Sequence, residues 1–237
     1  MMQVHIITPF VQMVESIIGE SIIGRAASKE IVQYSLHNLF DFADPPHYKI
    51  DDYPFGGGTG MIMKPEPLFR ACDTALKDCK PNEKCHIIFP TPDGKLLDHE
   101  TALELSKAQR LIFINGHYKG VDQRVRDRYV TDEISIGDYV LTGGELPAMV
   151  ILDSTIRLIP GVLNSIESAE TDSFTSYLLD FPHYTRPEEY EEIKVPEILK
   201  SGHHKKIKEW RVLEQRKKTQ ERRPDIWKKY IESKELR

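Results

Sequence analysis

An α/β domain on a mainly parallel sheet, followed by a small helical appendage, is the fold class this sequence predicts. Three observations predict it. Short apolar, β-rich runs recur along the first two-thirds of the chain, and several are separated by stretches of helical period. The runs Ile87–Phe89 and Leu111–Ile114 are apolar on both faces, as strands covered by helices on either side must be. The 237 residues contain 40% hydrophobic and 29% charged side chains, a balance that supports a packed core rather than a disordered chain.

Taken in order, the predicted strands are Val4–Ile7, Ile31–Leu36, His86–Phe89, Leu111–Ile114 and Ile134–Leu141. Helical period appears over Phe10–Ile18, Glu66–Leu76, Glu100–Ala108 and Leu146–Ile159. The pattern stops at Pro160-Gly161. Asn164–Ser173 is polar and acidic with no apolar period, which reads as a linker or loop. After Arg186-Pro187 the composition turns helical, with two or three amphipathic stretches and Trp210 and Trp227 as expected anchors of a small core. The domain reading is therefore 1–163 for the α/β domain, 164–175 for a flexible linker and 176–237 for a helical domain.

The net charge of -5 conceals an asymmetry. From Lys200 to Arg237 there are 14 Lys/Arg against 6 Asp/Glu, whereas the first 199 residues hold 18 basic and 31 acidic residues. A basic tail on an acidic body points to a polyanionic partner such as a nucleic acid; the alternative is an ordinary solvated helix face. No apolar run approaches the ~20 residues of a membrane span, and MMQVHIITPF lacks the charged start of a secretory signal. Cys72, Cys79 and Cys85 are an odd number without C-x-x-C spacing, which disfavours a disulfide framework, and Cys85-His86 offers too few ligands for zinc. The chain is read as soluble and cytoplasmic, with no membrane partner and no metal-ligating residues.

Four glycine-bearing loops stand out. Phe55-Gly56-Gly57-Gly58-Thr59-Gly60-Met61 places four glycines in five positions, yet has neither the Gly-Lys-Ser/Thr ending of a P-loop nor G-x-G-x-x-G. It is a flexible turn or a place where a large ligand approaches the backbone closely. The other three follow successive strands: Pro90-Thr91-Pro92-Asp93-Gly94, Asn115-Gly116-His117-Tyr118-Lys119-Gly120 and Thr142-Gly143-Gly144-Glu145-Leu146-Pro147. Ligands of open α/β sheets sit at the carboxyl ends of strands. These loops carry little fixed charge, which suits an adenosine-like ligand gripped by backbone groups better than a triphosphate. Each could also simply turn the chain.

Several strings are long and distinctive: Ile134–Ala148 (ISIGDYVLTGGELPA), Arg157–Leu163 (RLIPGVL), Leu178–Pro187 (LLDFPHYTRP), Gly56–Met61 and Gly24-Arg25-Ala26. With them, and in the same order over essentially the whole chain, the sequence resembles the bacterial tRNA (guanine-N1)-methyltransferase (TrmD) family. The resemblance implies S-adenosylmethionine (AdoMet) as methyl donor and N1 of the guanosine at tRNA position 37, just 3′ of the anticodon, as acceptor. It implies a SPOUT-class fold with a deep trefoil knot formed around Pro90–Gly94, Asn115–Gly120 and Ile134–Pro147; nothing in the periodicity reveals a knot. It also implies a homodimer with active sites shared between subunits, and tRNA as partner.

Carried over position by position, the resemblance assigns AdoMet contacts to Pro92, Gly94, Gly116, Tyr118, Ile136, Gly137, Asp138, Tyr139, Val140, Leu141, Gly143, Gly144 and Pro147. It assigns RNA contacts to Asp51, Gly58, Gly60, Asp180 and His183. Guanine N1 carries a proton and is a poor nucleophile, so one carboxylate to remove the proton and one cation to stabilise charge on O6 would suffice. The matching residues are Asp172 in ETDSF as base and Arg157 in STIRLIPG as the O6 partner. By themselves, these two residues read equally as a helix N-cap and a surface ion-pair member.

Two positions depart from the pattern. Lys119 stands where many relatives carry an acid, and an ammonium cannot ligate a cation. A Mg²⁺ requirement is therefore doubtful here, with Asp172 and Asp180 the remaining oxygen donors. Thr59 replaces a proline, with little chemical consequence. Other readings are a ribose 2′-O-methyltransferase of the same knotted class, a non-catalytic RNA-binding protein, and a nucleotide-binding module built on the Gly56–Gly60 loop. The ETDSF and LLDFPHYTRP strings, the retention of Asp172 with Arg157, and the missing Gly-Lys-Ser/Thr respectively argue against them.

Overall fold

The structure, a computed structural model, describes residues 1–163 and 172–235; most of the expected linker lies outside the described residues. The chain divides into two compact units, Met1–Asn164 and Ser165–Arg237.

The first unit runs β1 (Met2–Thr8), α1 (Val11–Ile18), α2 (Ser21–Ser28), β2 (Val32–Asn38), a 3-10 turn (Leu39–Phe42), β3 (Asp51–Asp52), β4 (Ile62–Met63), α3 (Pro65–Leu76), β5 (Cys85–Leu96), α4 (His99–Leu105), β6 (Arg110–Ile114), α5 (Gln123–Tyr129), β7 (Asp132–Ser135) and α6 (Glu145–Ile156). Five strands form one sheet in the order β2-β1-β6-β5-β7, with every neighbouring pair parallel. Side-chain alternation divides the core between its two faces. Leu111 and Phe113 pack with Val4, Ile6 and the inner residues of α1, α2 and α6. Ile112 and Ile114 pack with Ile7, Ile87 and residues of α3 and α5. This is why β6, at the centre, has five buried residues and reads as an unbroken apolar run after Arg110.

Local chemistry sets the helix starts. Asp98 caps α4 by accepting the Thr101 N–H, and Asp122 caps α5 by accepting that of Arg124. Pro65 occupies the start of α3, where its missing N–H costs nothing. Helices α2 and α5 had no clear sequence signal. α2 carries a mid-helix Gly24, whose Cβ would lie 2.4 Å from the Gly19 carbonyl oxygen, so close packing explains the residue that weakens the helical pattern. α5 buries only Val125 and Tyr129, four apart, amid charged neighbours.

The expected strand Ile134–Leu141 is corrected. β7 ends at Ser135. Gly137 adopts φ 145°, and the Tyr139 N–H turns back to donate to the Gly137 carbonyl. Tyr139, Val140 and Leu141 are exposed, so their apolar character serves a loop. Conversely, Pro90–Gly94, expected as a loop, lies within β5: Pro90 and Lys95 both face Ile134, and residues 91–94 form an excursion between them.

In the second unit, β8 (Glu189–Tyr190) and β9 (Ile193–Lys194) make a small hairpin, followed by α7 (Glu197–Lys200), α8 (His204–Arg222) and α9 (Pro224–Glu235). Glu191 and Glu192 both have positive φ, the conformation a two-residue hairpin turn demands, without the glycine that would have announced it. Leu178, Thr219, Ile226 and Tyr230 are its buried residues among those described. The expected anchors Trp210 and Trp227 are only half-buried, and Trp227 stacks on Tyr230 with ring centroids 5.3 Å apart. Thr219 accepts the Leu179 N–H at 2.8 Å, and Lys218 Nζ donates to the Asp180 carbonyl at 2.9 Å. α8 thereby holds the segment that bears Asp180.

A polar chain runs across β6, β1 and β2. Arg110 Nη1 donates to His5 Nε2 at 2.8 Å, and His5 Nδ1 lies 3.0 Å from His37 Nε2. Because arginine only donates, the His5 proton must sit on Nδ1. Burial first, then the Arg110 guanidinium, then His37, push the His5 pKa down from 6.5 to about 4. The unfolded chain therefore binds a proton between pH 6.5 and about 4 that the native chain refuses, so stability falls as pH drops through that window. Urea unfolding should show this decline, and His5→Gln should make it shallower. An identical slope in the variant would remove His5 from the acid sensitivity.

Candidate active site

The carboxyl ends of β5, β6 and β7 converge on a cleft with a cavity volume of about 200 Å³. From the β5 excursion come Thr91 and Pro92, and from the loop after β6 come Gly116, His117, Tyr118, Lys119 and Gly120. The loop after β7 supplies Ile136, Gly137, Tyr139, Val140, Leu141 and Thr142; the start of α6 supplies Gly143, Gly144 and Pro147. Of the residues expected from the sequence to contact a cofactor, Gly94 and Asp138 are not part of this lining. A Cβ on Gly94 would lie 2.5 Å from the backbone of Glu133 and Ile134, so Gly94 lets the excursion cross β7 closely. Asp138 is exposed.

The excursion is fixed from outside. Arg126 donates to Glu133 and to Asp93, each at 2.8 Å, and its guanidinium lies over the Phe89 ring. Hydrogen bonds from Thr91 and then Arg126 hold the Asp93 pKa down at about 2.

Behind the cleft lies a network that the sequence reading missed. Glu145, in the first turn of α6, is only 2% exposed. Thr8 Oγ1, at the end of β1, donates to Glu145 Oε1 at 2.6 Å, and His117 Nε2 meets Oε2 at 2.6 Å. The helix N-terminus also favours the carboxylate. The loops themselves are joined by backbone: Gly144 N–H donates to the Gly116 carbonyl at 2.8 Å, and His117 bridges Gly143. Only glycine fits there. A Cβ on Gly143 would lie 2.2 Å from His117 Cε1 and 2.7 Å from Glu145 Oε2, and one on Gly144 would lie 2.8 Å from Asn115 Cα. The signal available in the sequence was an acid directly after Gly-Gly at a helix start.

The Gly56–Gly60 loop connects β3 to β4 and is stitched to the same place. Lys119 N–H donates to the Met61 carbonyl, Met63 N–H to that of Gly120, and Asp122 N–H to that of Met63. Gly58 and Gly60 have φ of 112° and 94° and are exposed. Asp51, in β3, acts on Tyr118: burial first and then the Asp51 charge raise the Tyr118 pKa.

Arg157 follows the last turn of α6 and is half-buried. Asp172 and Asp180 belong to the second unit, both half-buried. Asp180 accepts the Phe181 N–H at 2.7 Å and pairs with His183 Nε2 at 2.7 Å. The Phe181 ring lies 4.5 Å from that of His183, tilted by 43°, and 4.7 Å from the guanidinium of Arg211 on α8. Among the described residues, no group of three His, Cys, Asp or Glu is placed to hold a metal ion.

The family model described as tRNA (Guanine-1)-methyltransferase TrmD matches residues 2–229. A tRNA (guanine-N(1)-)-methyltransferase of Clostridioides difficile (strain 630) is 49% identical over 228 residues, covering 96% of this chain and 98% of that protein. The one from Staphylococcus carnosus (strain TM300) is 48% identical, covering 97% of this chain and 92% of its own. The one from Alkaliphilus metalliredigens (strain QYMF) is 50% identical, covering 96% and 92% respectively.

The clash geometry yields a direct test. Gly143→Ala should cost about 1–3 kcal/mol in urea unfolding, the usual range for overpacking. Part of that cost should vanish in a His117→Ala background, with a coupling of at least about 0.5 kcal/mol. Strict additivity would show that Gly143 and His117 do not meet.

Proposed function

The chain belongs to the tRNA (guanine-1)-methyltransferase family, and from that premise we propose that it transfers a methyl group from AdoMet to N1 of the guanosine at tRNA position 37. The observation that carries this reading is the family match over residues 2–229.

The cleft suits the donor. Its wall is made of glycine and proline loops at parallel strand ends, open to backbone contacts with a flat adenosine, and Gly143 and Gly144 let two of those loops pack directly against each other. When bound, AdoMet supplies an electrophilic methyl on a sulfonium. The chain's own work is to grip, to move a proton and to balance charge. The residues we assign to grip are those expected from the sequence, Pro92, Gly116, Tyr118, Ile136 to Leu141, Gly143, Gly144 and Pro147, with Gly94 acting through the backbone crossing. We assign Asp172 to accept the N1 proton, since an ionised carboxylate is an acceptor of the kind the step requires. We assign Arg157 to the O6 oxygen, where negative charge accumulates as the proton leaves.

The RNA is held, in this reading, by Asp51, Gly58 and Gly60 in the first unit and by Asp180 and His183 in the second, with the exposed Lys and Arg side chains of α8 and α9 on phosphates. The domain division follows: 1–163 for AdoMet, 164–175 as linker and 176–237 for tRNA. The knot belongs to the segments around Pro90–Gly94, Asn115–Gly120 and Ile134–Pro147. We further propose a two-fold homodimer in which one subunit's cleft works with the partner's Asp172. A tRNA substrate places the protein in the cytoplasm, and no helix among the described residues is long and apolar enough to cross a membrane. Asp172 and Asp180 are the carboxylates that would be left to a Mg²⁺ ion.

Incubation with AdoMet and tRNA transcripts, followed by nucleoside analysis, tests the reading. 1-Methylguanosine should form with guanosine at position 37 and vanish when that base is replaced. Asp172→Asn should lower the single-turnover rate about 100-fold or more while AdoMet affinity stays within about twofold. Product from the replaced transcript would overturn the site of methylation, and a near-normal rate would remove Asp172 from proton transfer.

A further inference from the structure

Lys119 is the one Lys or Arg among the described residues that line the cleft. Its backbone is fixed: the Lys119 N–H donates to the Met61 carbonyl at 3.0 Å, and the preceding Tyr118 takes φ 60°, a conformation that non-glycine residues hold only when their surroundings impose it. Its stem is fixed too. A Cβ on Gly60 would lie 2.7 Å from Lys119 Cγ, 3.6 Å from Cδ and 3.4 Å from Cε, so the methylenes run across the face of Gly60. The hydrocarbon stem is thus laid against the glycine loop while the residue stays exposed at the rim, the usual arrangement of a lysine that presents its charge to a neighbour in water.

From this placement we propose that Lys119 binds the carboxylate of the methionine arm of the cofactor. The inference rests on the AdoMet reading above and adds the orientation of the ligand. Three charged groups on that ligand bear on the choice. The sulfonium and the amino group are both positive and are repelled by an ammonium; the carboxylate alone attracts it. Other titratable side chains of the lining do not compete for the role: His117 is engaged by the buried Glu145, and Tyr118 and Tyr139 are phenols, with burial raising the Tyr118 pKa further from neutrality. The cationic rim therefore holds the amino-acid arm outward near Gly60, and the adenosine is left to the uncharged glycine and proline loops.

The test compares two ligands on wild type, Lys119→Met and Lys119→Arg by isothermal titration. S-adenosylhomocysteine carries the carboxylate, and 5′-methylthioadenosine lacks the whole amino-acid arm. Lys119→Met should weaken S-adenosylhomocysteine about fivefold, as expected for a partly exposed ion pair, and leave 5′-methylthioadenosine within twofold. Lys119→Arg should bind both ligands nearly as wild type does. The fivefold difference should shrink in high salt. Equal losses for the two ligands, or no loss for either, would overturn the assignment, the latter pointing Lys119 toward the RNA instead. Wild type that binds neither ligand would overturn the AdoMet reading itself.

Discussion

A single buried carboxylate organises the cleft. Glu145 sits at the start of α6 with almost no solvent contact, and its two oxygens are taken by Thr8 from β1 and His117 from the loop after β6. A carboxylate so placed tolerates no vacancy, because removing one partner of a buried charge costs about 3–5 kcal/mol. The network therefore ties the end of one strand, the loop of another and the N-terminus of a helix at one point. The glycines around it follow from the same constraint: Gly143 and Gly144 are where the joined loops leave no volume for a Cβ.

Everything else in the first unit delivers strand ends to that point. The crossovers that join parallel strands cover both faces of the sheet with helices, and they put several strand-to-helix loops on one edge. The β5 excursion, held by Arg126, and the β3–β4 hairpin, stitched through Met61 and Met63, bring two more segments to the same edge. The resulting wall is rich in glycine, proline and backbone polar groups and poor in fixed charge, which suits a flat neutral nucleoside. Fixed positive charge is concentrated elsewhere, in the chain from Lys200 onward, which fits the proposed grip on a phosphate backbone.

Much of this was legible in the sequence. The apolar runs located β1, β2, β5 and β6 and met β7 only at Ile134 and Ser135; the pattern is plainest in the central β6, whose residues are all buried. The three glycine loops after them lie together at the cleft. What escaped notice has physical reasons. α5 buries two residues and α2 contains a glycine demanded by packing, so neither shows a clean period. Ile134–Leu141 looks like a strand because it is rich in apolar and β-branched residues, yet Gly137 turns the chain out of the sheet. Burial of Glu145 is a tertiary fact: its partners are 137 and 28 residues distant in sequence. The AdoMet and RNA roles came from the family resemblance, since residue types alone left Asp172 and Arg157 with ordinary structural alternatives.

The claim on which the rest turns is that the β5, β6 and β7 strand ends form the cofactor site. Backbone hydrogen–deuterium exchange with and without S-adenosylhomocysteine tests it most directly, because amides that grip a ligand are slowed where they do so. Protection is expected in the cleft-lining segments around Phe89–Pro92, Gly116–Gly120 and Ile134–Pro147, with the amides of α3 and β2 unchanged. Protection confined to the Gly56–Gly60 loop, or to the second unit, would contradict it.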